Sequence, residues 1–181
     1  MSSEELHELH EHAEHAKHDP SLAPVSLTMA VLAVMVAVVS LLGHRAHTEE
    51  VVLQAKASDQ WAFYQAKNIR RHTDELFTDL TSVEATTDAS ALAKLRDKYS
   101  GEATRYKDDQ KVIEDKAHEL ESEVALERNR ADRFDLAEVF LEIGLVITSI
   151  TLLSGRRIFW GLGLVFGVLG IVVAVTGFIV H

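Results

Sequence analysis

Three carboxylates stand where an apolar stretch begins: Asp135, Glu138 and Glu142, at i, i+3 and i+7, fall on one face of a helix. At the helical rise, Glu142 lies about 9 Å beyond Leu136, and an unpaired charge at that depth in hydrocarbon costs up to ~3 kcal/mol. Something must compensate it. One chemistry is a cation or proton site, which in an oligomer becomes a ring of carboxylates. The other is structural: His44 and Arg45, which follow the first apolar stretch at the same membrane face, reach Glu138, or Glu142 is protonated and hydrogen-bonded to a neighbouring helix. Arg45, Asp135, Glu138 and Glu142 are therefore the candidate ion pathway or buried ion pair.

A second set lies at the N-terminus, where five imidazoles alternate with acids between Leu6 and His18. In a helix His7, Glu11, His15 and His18 share a face with Glu14, and imidazole with carboxylate suits Zn, Ni or Cu. Weak divalent metal binding by this tail is expected, and no other cofactor. A solvated acidic helix at a membrane surface accounts for the same residues. The spacing is not His-Glu-x-x-His, so no zinc protease is indicated. Zero cysteines exclude disulfides, thiolate metal sites and cysteine nucleophiles. A net charge of −10, without a basic stripe free of neighbouring carboxylates, excludes a nucleic-acid footprint.

Two further sets favour contacts over catalysis. Gly163, Gly167, Gly170, Ala174 and Gly177 step by four, three, four and three, which places small residues along one helix face and lets another helix approach closely. Ala137, Gly144, Thr148 and Thr151 form the matching seam on the preceding apolar stretch. Trp61, Phe63 and Tyr64 lie some 28 Å beyond Leu42 along a helix, too far for an interfacial aromatic belt. With Ala62 in a heptad seam, Trp61 and Phe63 flank it and are a candidate surface for another protomer or protein. Alternatively, Trp61 folds along the second arm near Lys116 and Ala117.

The elements that must position these residues follow from hydropathy. Residues 25–42, 136–153 and 158–180 are apolar and long enough to cross most or all of a ~30 Å hydrocarbon layer. The first lacks the basic flank of a signal peptide and is read as a retained anchor. Between the first two lies a charge-dense segment of about 90 residues, rich in Ala, Glu, Lys, Leu and Arg and with Gly101 as the one glycine between Gly43 and Gly144. Ala55, Ala62, Ile69, Leu76 and Val83 recur every seven residues, with Ala66 and Leu80 between them. Leu92, Tyr99, Tyr106, Ile113, Leu120 and Phe134 form the second run, with Ala103, Ala117, Val124 and Ala131. Such narrow seams predict a coiled coil. Turn and capping residues at 84–90 predict a reversal there, so that Ile69 lies near Tyr106 and Leu76 near Tyr99, to within about one turn. Gly101 is a second place where the helix is weakened.

The predicted fold is an all-α membrane protein: three transmembrane helices and a long antiparallel helical-hairpin coiled-coil stalk between the first and second. Its parts are a His/Glu-rich tail (1–20), a first span (21–43), the stalk (44–135), a second span (136–153), a tight loop (154–157) and a third span (158–181). Ala57 to Lys67, with its Gln-Trp-Ala-Phe-Tyr-Gln core, and the hairpin around Leu153 to Arg157 resemble a family of uncharacterised bacterial membrane proteins, domain of unknown function 4337. The resemblance spans nearly the whole chain. It implies three spans and a bacterial inner-membrane location, and carries no activity to any residue.

Arg156 and Arg157 in the short loop favour a cytoplasmic loop and N-terminus with a periplasmic stalk. Arg45, Lys56, Arg128, Arg130 and Arg133 favour the opposite, but long loops weigh less and these are interleaved with acids. The expected function is a non-enzymatic, membrane-anchored scaffold that self-associates or docks a protein partner. The alternative is a small ion- or proton-conducting oligomer using Glu138 and Glu142.

Overall fold

The computed structural model describes residues 22–83 and 89–179. Every described element is an α-helix: α1 (Ala23–Val83), α2 (Ala89–Ser154) and α3 (Arg157–Ile179). All three are long and apolar enough to cross a membrane. The His/Glu-rich tail lies outside the described residues, as do Glu84 to Asp88 of the expected reversal.

Local chemistry explains where the helices begin, continue and end. Pro24 sits in the first turn of α1, where its missing N–H has no intrahelical partner to lose. Glycine inside a helix costs about 1 kcal/mol, yet α1 passes through Gly43. There the neighbouring helix comes close: a Cβ would lie 3.1 Å from Asp135 Oδ1 and 3.4 Å from Phe134 Cβ. α2 runs unbroken through Gly101, which no atom crowds, so the surrounding helix formers outweigh one glycine. Its end is sharper. Gly155 adopts φ +67°, and its N–H bonds to the Thr151 carbonyl at 2.9 Å, a left-handed stop that a side chain disfavours. Arg156 then bonds through its N–H to Ser154 Oγ at 3.3 Å, and α3 starts at Arg157.

The chain forms two compact units. In the first, which runs up to Glu49 and resumes at Leu126, the helices meet over Leu32, Val36, Val39 and Ala46 of α1, Ala131, Phe134, Ala137 and Leu141 of α2, and Ala174 of α3. The steps of three, four and seven within the α1 and α2 sets are the stripe of a helix that buries one side. The opposite sides are apolar too. Val31, Val34 and Val38, Val139, Val146 and Ile150, and Val165, Val168 and Val172 are all exposed, and helices apolar all round need an apolar surround.

The second unit, Glu50–Ala125, pairs the remainder of α1 with the start of α2. Leu53 and Ala57 pack with Leu120 and Val124. Lys67 lies over the Tyr106 ring, and Phe77 meets Tyr99 at 4.5 Å between centroids. Rising numbers on α1 thus meet falling numbers on α2. On α2 the inward residues include Ala103, Ile113, Ala117, Leu120 and Val124.

The α1 face differs from the heptad expectation. Ala55, Ala62, Ala66, Ile69, Leu76, Leu80 and Val83 all point outward. Buried or half-buried instead are Trp61, Tyr64, Lys67, Arg71, Asp74, Thr78 and Thr81. The apolar contact of Leu53 and Ala57 sets this phase: steps of seven from them lead to Lys67, Asp74 and Thr81, and to Tyr64, Arg71 and Thr78. Tyr106 meets Lys67, two residues from Ile69, and Tyr99 meets Phe77, one residue from Leu76, so the contacts fall within the one turn expected while the face of α1 that makes them differs.

Candidate functional site

Of the three carboxylates, one is held by an imidazole. His47 Nε2 lies 2.9 Å from Asp135 Oδ2, and both side chains are about half exposed. His47 follows Gly43 by one helical turn, so the glycine that lets Asp135 approach and the group that bonds it share a face. That i, i+4 pairing of glycine with a titratable residue was the available signal for His47, which sequence reasoning passed over in favour of His44 and Arg45. Arg45 lines a recess with Glu49, Glu127, Arg130 and Phe178, where Arg130 donates to Glu127. Among the described residues no ion pair joins Arg45 or His44 to Glu138 or Glu142.

Glu138 is half-buried, and Glu142 faces outward beside Val139 and Val146. Neither makes a hydrogen bond or ion pair among the described residues. The face that turns inward here carries Ala137, Leu141, Gly144 and Thr148 instead. Asp135, Glu138 and Glu142 therefore do not converge within one chain.

The small residues of α3 meet two neighbours. A Cβ on Gly163 would strike the Thr148 hydroxyl and the Gly144 carbonyl, and one on Gly170 would lie 2.7 Å from Leu141 Cγ and 3.0 Å from the Ala137 carbonyl. Gly177 is set against Phe134, and Ala174 is buried in the three-helix core. Gly167 instead approaches Leu32 of α1, at 2.7 Å from a Cβ position to Leu32 Cδ2. Thr148, fully buried, spends its O–H on the Gly144 carbonyl at 2.7 Å, which leaves backbone contact as the main interaction at that crossing. Near the short loop, Trp160 Nε1 donates to Thr28 Oγ1 at 3.1 Å and ties α3 to the first turns of α1.

In the second unit the aromatic triad divides. Trp61 donates from Nε1 to Glu121 Oε1 at 2.8 Å and stands edge-on to His118, with centroids 5.3 Å apart. His118 Nδ1 lies 3.0 Å from the other oxygen of Glu121. Bonding to the indole first, then to the imidazole, holds the Glu121 carboxyl below the usual carboxylate range. Tyr64 stacks edge-on against Trp61 at 5.6 Å, while Phe63 faces outward and half exposed. Lys67 bonds to Asp109 at 2.8 Å, which holds the Asp109 carboxyl low, and its ammonium also lies 5.5 Å from the Phe63 ring centroid. Lys116 is raised by its bond to Glu119. These are solvated ion pairs, each worth little alone.

Among the described residues no three His, Asp or Glu side chains come close enough to hold a metal ion. His7, Glu11, Glu14, His15 and His18 lie outside them. The class defined so far is an all-helical protein with three helices apolar enough to span a membrane and a charged helical pair between the first two apolar stretches. More particularly, the chain belongs to the family described as a domain of unknown function (DUF4337), whose model matches residues 21–180. No curated protein and no solved structure matches it.

Proposed function

We propose that this is a non-enzymatic, integral membrane protein whose apolar helical segments anchor an antiparallel helical-hairpin coiled-coil stalk, residues 44–135, that serves as a self-associating scaffold. The observation that carries the reading is the division of character within continuous helices. α1 and α2 each carry, without a break in helix, an apolar stretch exposed on its outer side and a charged stretch laced with solvated ion pairs. Lipid suits the first surface and water the second. Phe63, outward and half exposed, belongs to the surface offered to partners, while Trp61 and Tyr64 pack on each other on the inner side.

The family resemblance favours a bacterial inner membrane. The arginines of the short loop favour a cytoplasmic loop and N-terminus, with the stalk periplasmic. The tail 1–20 acts at most as a weak ligand for divalent metal. Mass photometry of the full chain in nanodiscs, with labelling of single cysteines at Asp108 and Arg156 by an impermeant maleimide in intact cells, tests the reading. Self-association and labelling at Asp108 alone are expected. A monomeric protein, or one released from membranes by alkaline carbonate, refutes it.

One observation favours a second reading. Glu142 points away from its own helical neighbours, without a partner among the described residues, so in an oligomer it would meet other copies and, with Glu138, line a cation or proton path. Flux into vesicles reconstituted with the full chain, abolished by Glu142→Gln, is the outcome that reading requires.

A further inference from the structure

The outward face of α1 in the second unit carries a repeat that its own chain does not use. Ala62, Ile69, Leu76 and Val83 are seven apart, and Ala66, Thr73 and Leu80 interleave at seven. All are exposed, Ile69 by 67%, Leu76 by 60%, Leu80 by 57% and Val83 by 81%. Lys67 and Arg71, which face α2, each lie two residues from Ile69, or about 200° around the helix. The apolar stripe and the intrachain contact are thus on opposite sides of α1. The intrachain side is also poorly satisfied: among the described residues Arg71 Nε, Asp74 Oδ2 and Gln110 Nε2 are buried without hydrogen-bond partners. This stretch of α1 spends its polar groups inward and leaves its apolar ones to water, an arrangement that a single copy cannot stabilise well.

We infer that the stripe Ala62–Val83 of α1 pairs with the same stripe of a second copy as a parallel two-stranded coiled coil. The inference rests on the self-associating scaffold proposed above and names its contact surface. A seven-residue repeat matches another helix with that repeat rather than a globular surface, and this chain supplies one. The pairing is parallel because the apolar N-terminal part of α1 would have the same membrane topology in both copies. Like then faces like along Ile69, Leu76 and Val83. In that register the flanking Gln65 faces Arg70, and His72 faces Phe77, so neither pair opposes fixed charges of one sign.

The wider outward strip, from Val52 to Val83, is about 48 Å long and 10–12 Å across. It offers roughly 500 Å² per copy and about 1,000 Å² for the pair, where specific interfaces begin. Confinement to one bilayer raises the effective concentration and makes an interface of that size sufficient. Asp59 interrupts the strip once; Val52 lies before it, and Ile69, Leu76, Leu80 and Val83 lie beyond it.

The chain has no cysteine, so single substitutions report cleanly. Ile69→Cys, Leu76→Cys and, as an exposed control on α2, Asp108→Cys are oxidised in the full chain in nanodiscs. Disulfide-linked dimers are expected at 69 and 76 and not at 108. Ile69→Glu with Leu76→Glu should keep the helix content of the parent and raise the dissociation constant of the pair roughly a thousand-fold. An oligomer that survives the double substitution and gives no disulfide at 69 or 76 overturns this surface while leaving self-association standing. A protein monomeric before any substitution defeats the scaffold reading itself. Adducts at 69 and 76 only with proteins of other mass assign the stripe to a foreign helix and also overturn the inference.

Discussion

Replacing Glu142 by glutamine separates a solitary carboxylate from a paired one. Glu142 lies on the outward face with Val139 and Val146, about 9 Å past Leu136 and 18 Å short of Ser154 along α2. If this stretch spans a membrane, an ionised carboxylate there costs up to ~3 kcal/mol, and no group among the described residues pairs with it. The amide keeps the shape and removes the charge, so a gain of about 1–2 kcal/mol is expected, an amide itself not being free in hydrocarbon. For a chain of this size that corresponds to a Tm higher by roughly 2–6 °C. The assay is thermal unfolding followed by circular dichroism in nanodiscs at neutral pH, with oligomer mass measured in parallel. A lowered Tm or a dissociated oligomer in Glu142→Gln would refute the reasoning, because it would show that the charge has a partner in another copy worth more than its desolvation.

Gly170→Leu should lower the melting temperature, since Leu141 and the Ala137 carbonyl already occupy the space and overpacking costs about 1–3 kcal/mol; Gly161→Leu, where nothing lies within 4 Å, should leave it unchanged within about 1 °C. The Trp61–Glu121 bond predicts an acid dependence. A carboxyl held below its ordinary value near 4.5 contributes stability that is complete above that value and is lost as pH falls through the depressed one. Trp61→Phe should therefore flatten the fall of Tm between neutral pH and pH 3, and an unaltered slope would place the effect elsewhere. Cysteines at Lys67 and Asp109, whose side-chain ends meet, should be joined within one chain by a short bismaleimide; a product found between chains alone would replace that pairing by an intermolecular one. A peptide of residues 1–20 should bind Zn or Ni in calorimetric titration, and deletion of those residues should leave the Tm of the remainder unchanged.

Composition and periodicity determined much of this protein without reference to tertiary contacts. Long runs of Val, Leu, Ile and Gly forced three helices apolar enough for a membrane. The near absence of glycine and proline between the first two runs forced helix there, with Gly101 unable to break it. These are local properties, summed along one segment at a time. Tertiary structure decided what each helix turns toward. The seven-residue pattern of Ile69, Leu76 and Val83 is a strong signal that two helices meet, yet it does not say which two. Leu53 and Ala57, packed on Leu120 and Val124, rotate α1 so that the pattern faces outward and Lys67, Arg71 and Asp74 face α2.

The same holds for the charged residues and the glycines. Arg45 looked like the natural partner of the carboxylates, but His47 is the residue that Gly43 brings beside Asp135. The spacing of the α3 glycines was readable as one face, whereas only the packing of three helices assigns Gly167 to Leu32 and Gly163 and Gly170 to α2. Periodicity along a chain defines which residues share a face. The angle at which that face is presented depends on contacts between segments far apart in sequence, and no single segment carries that information.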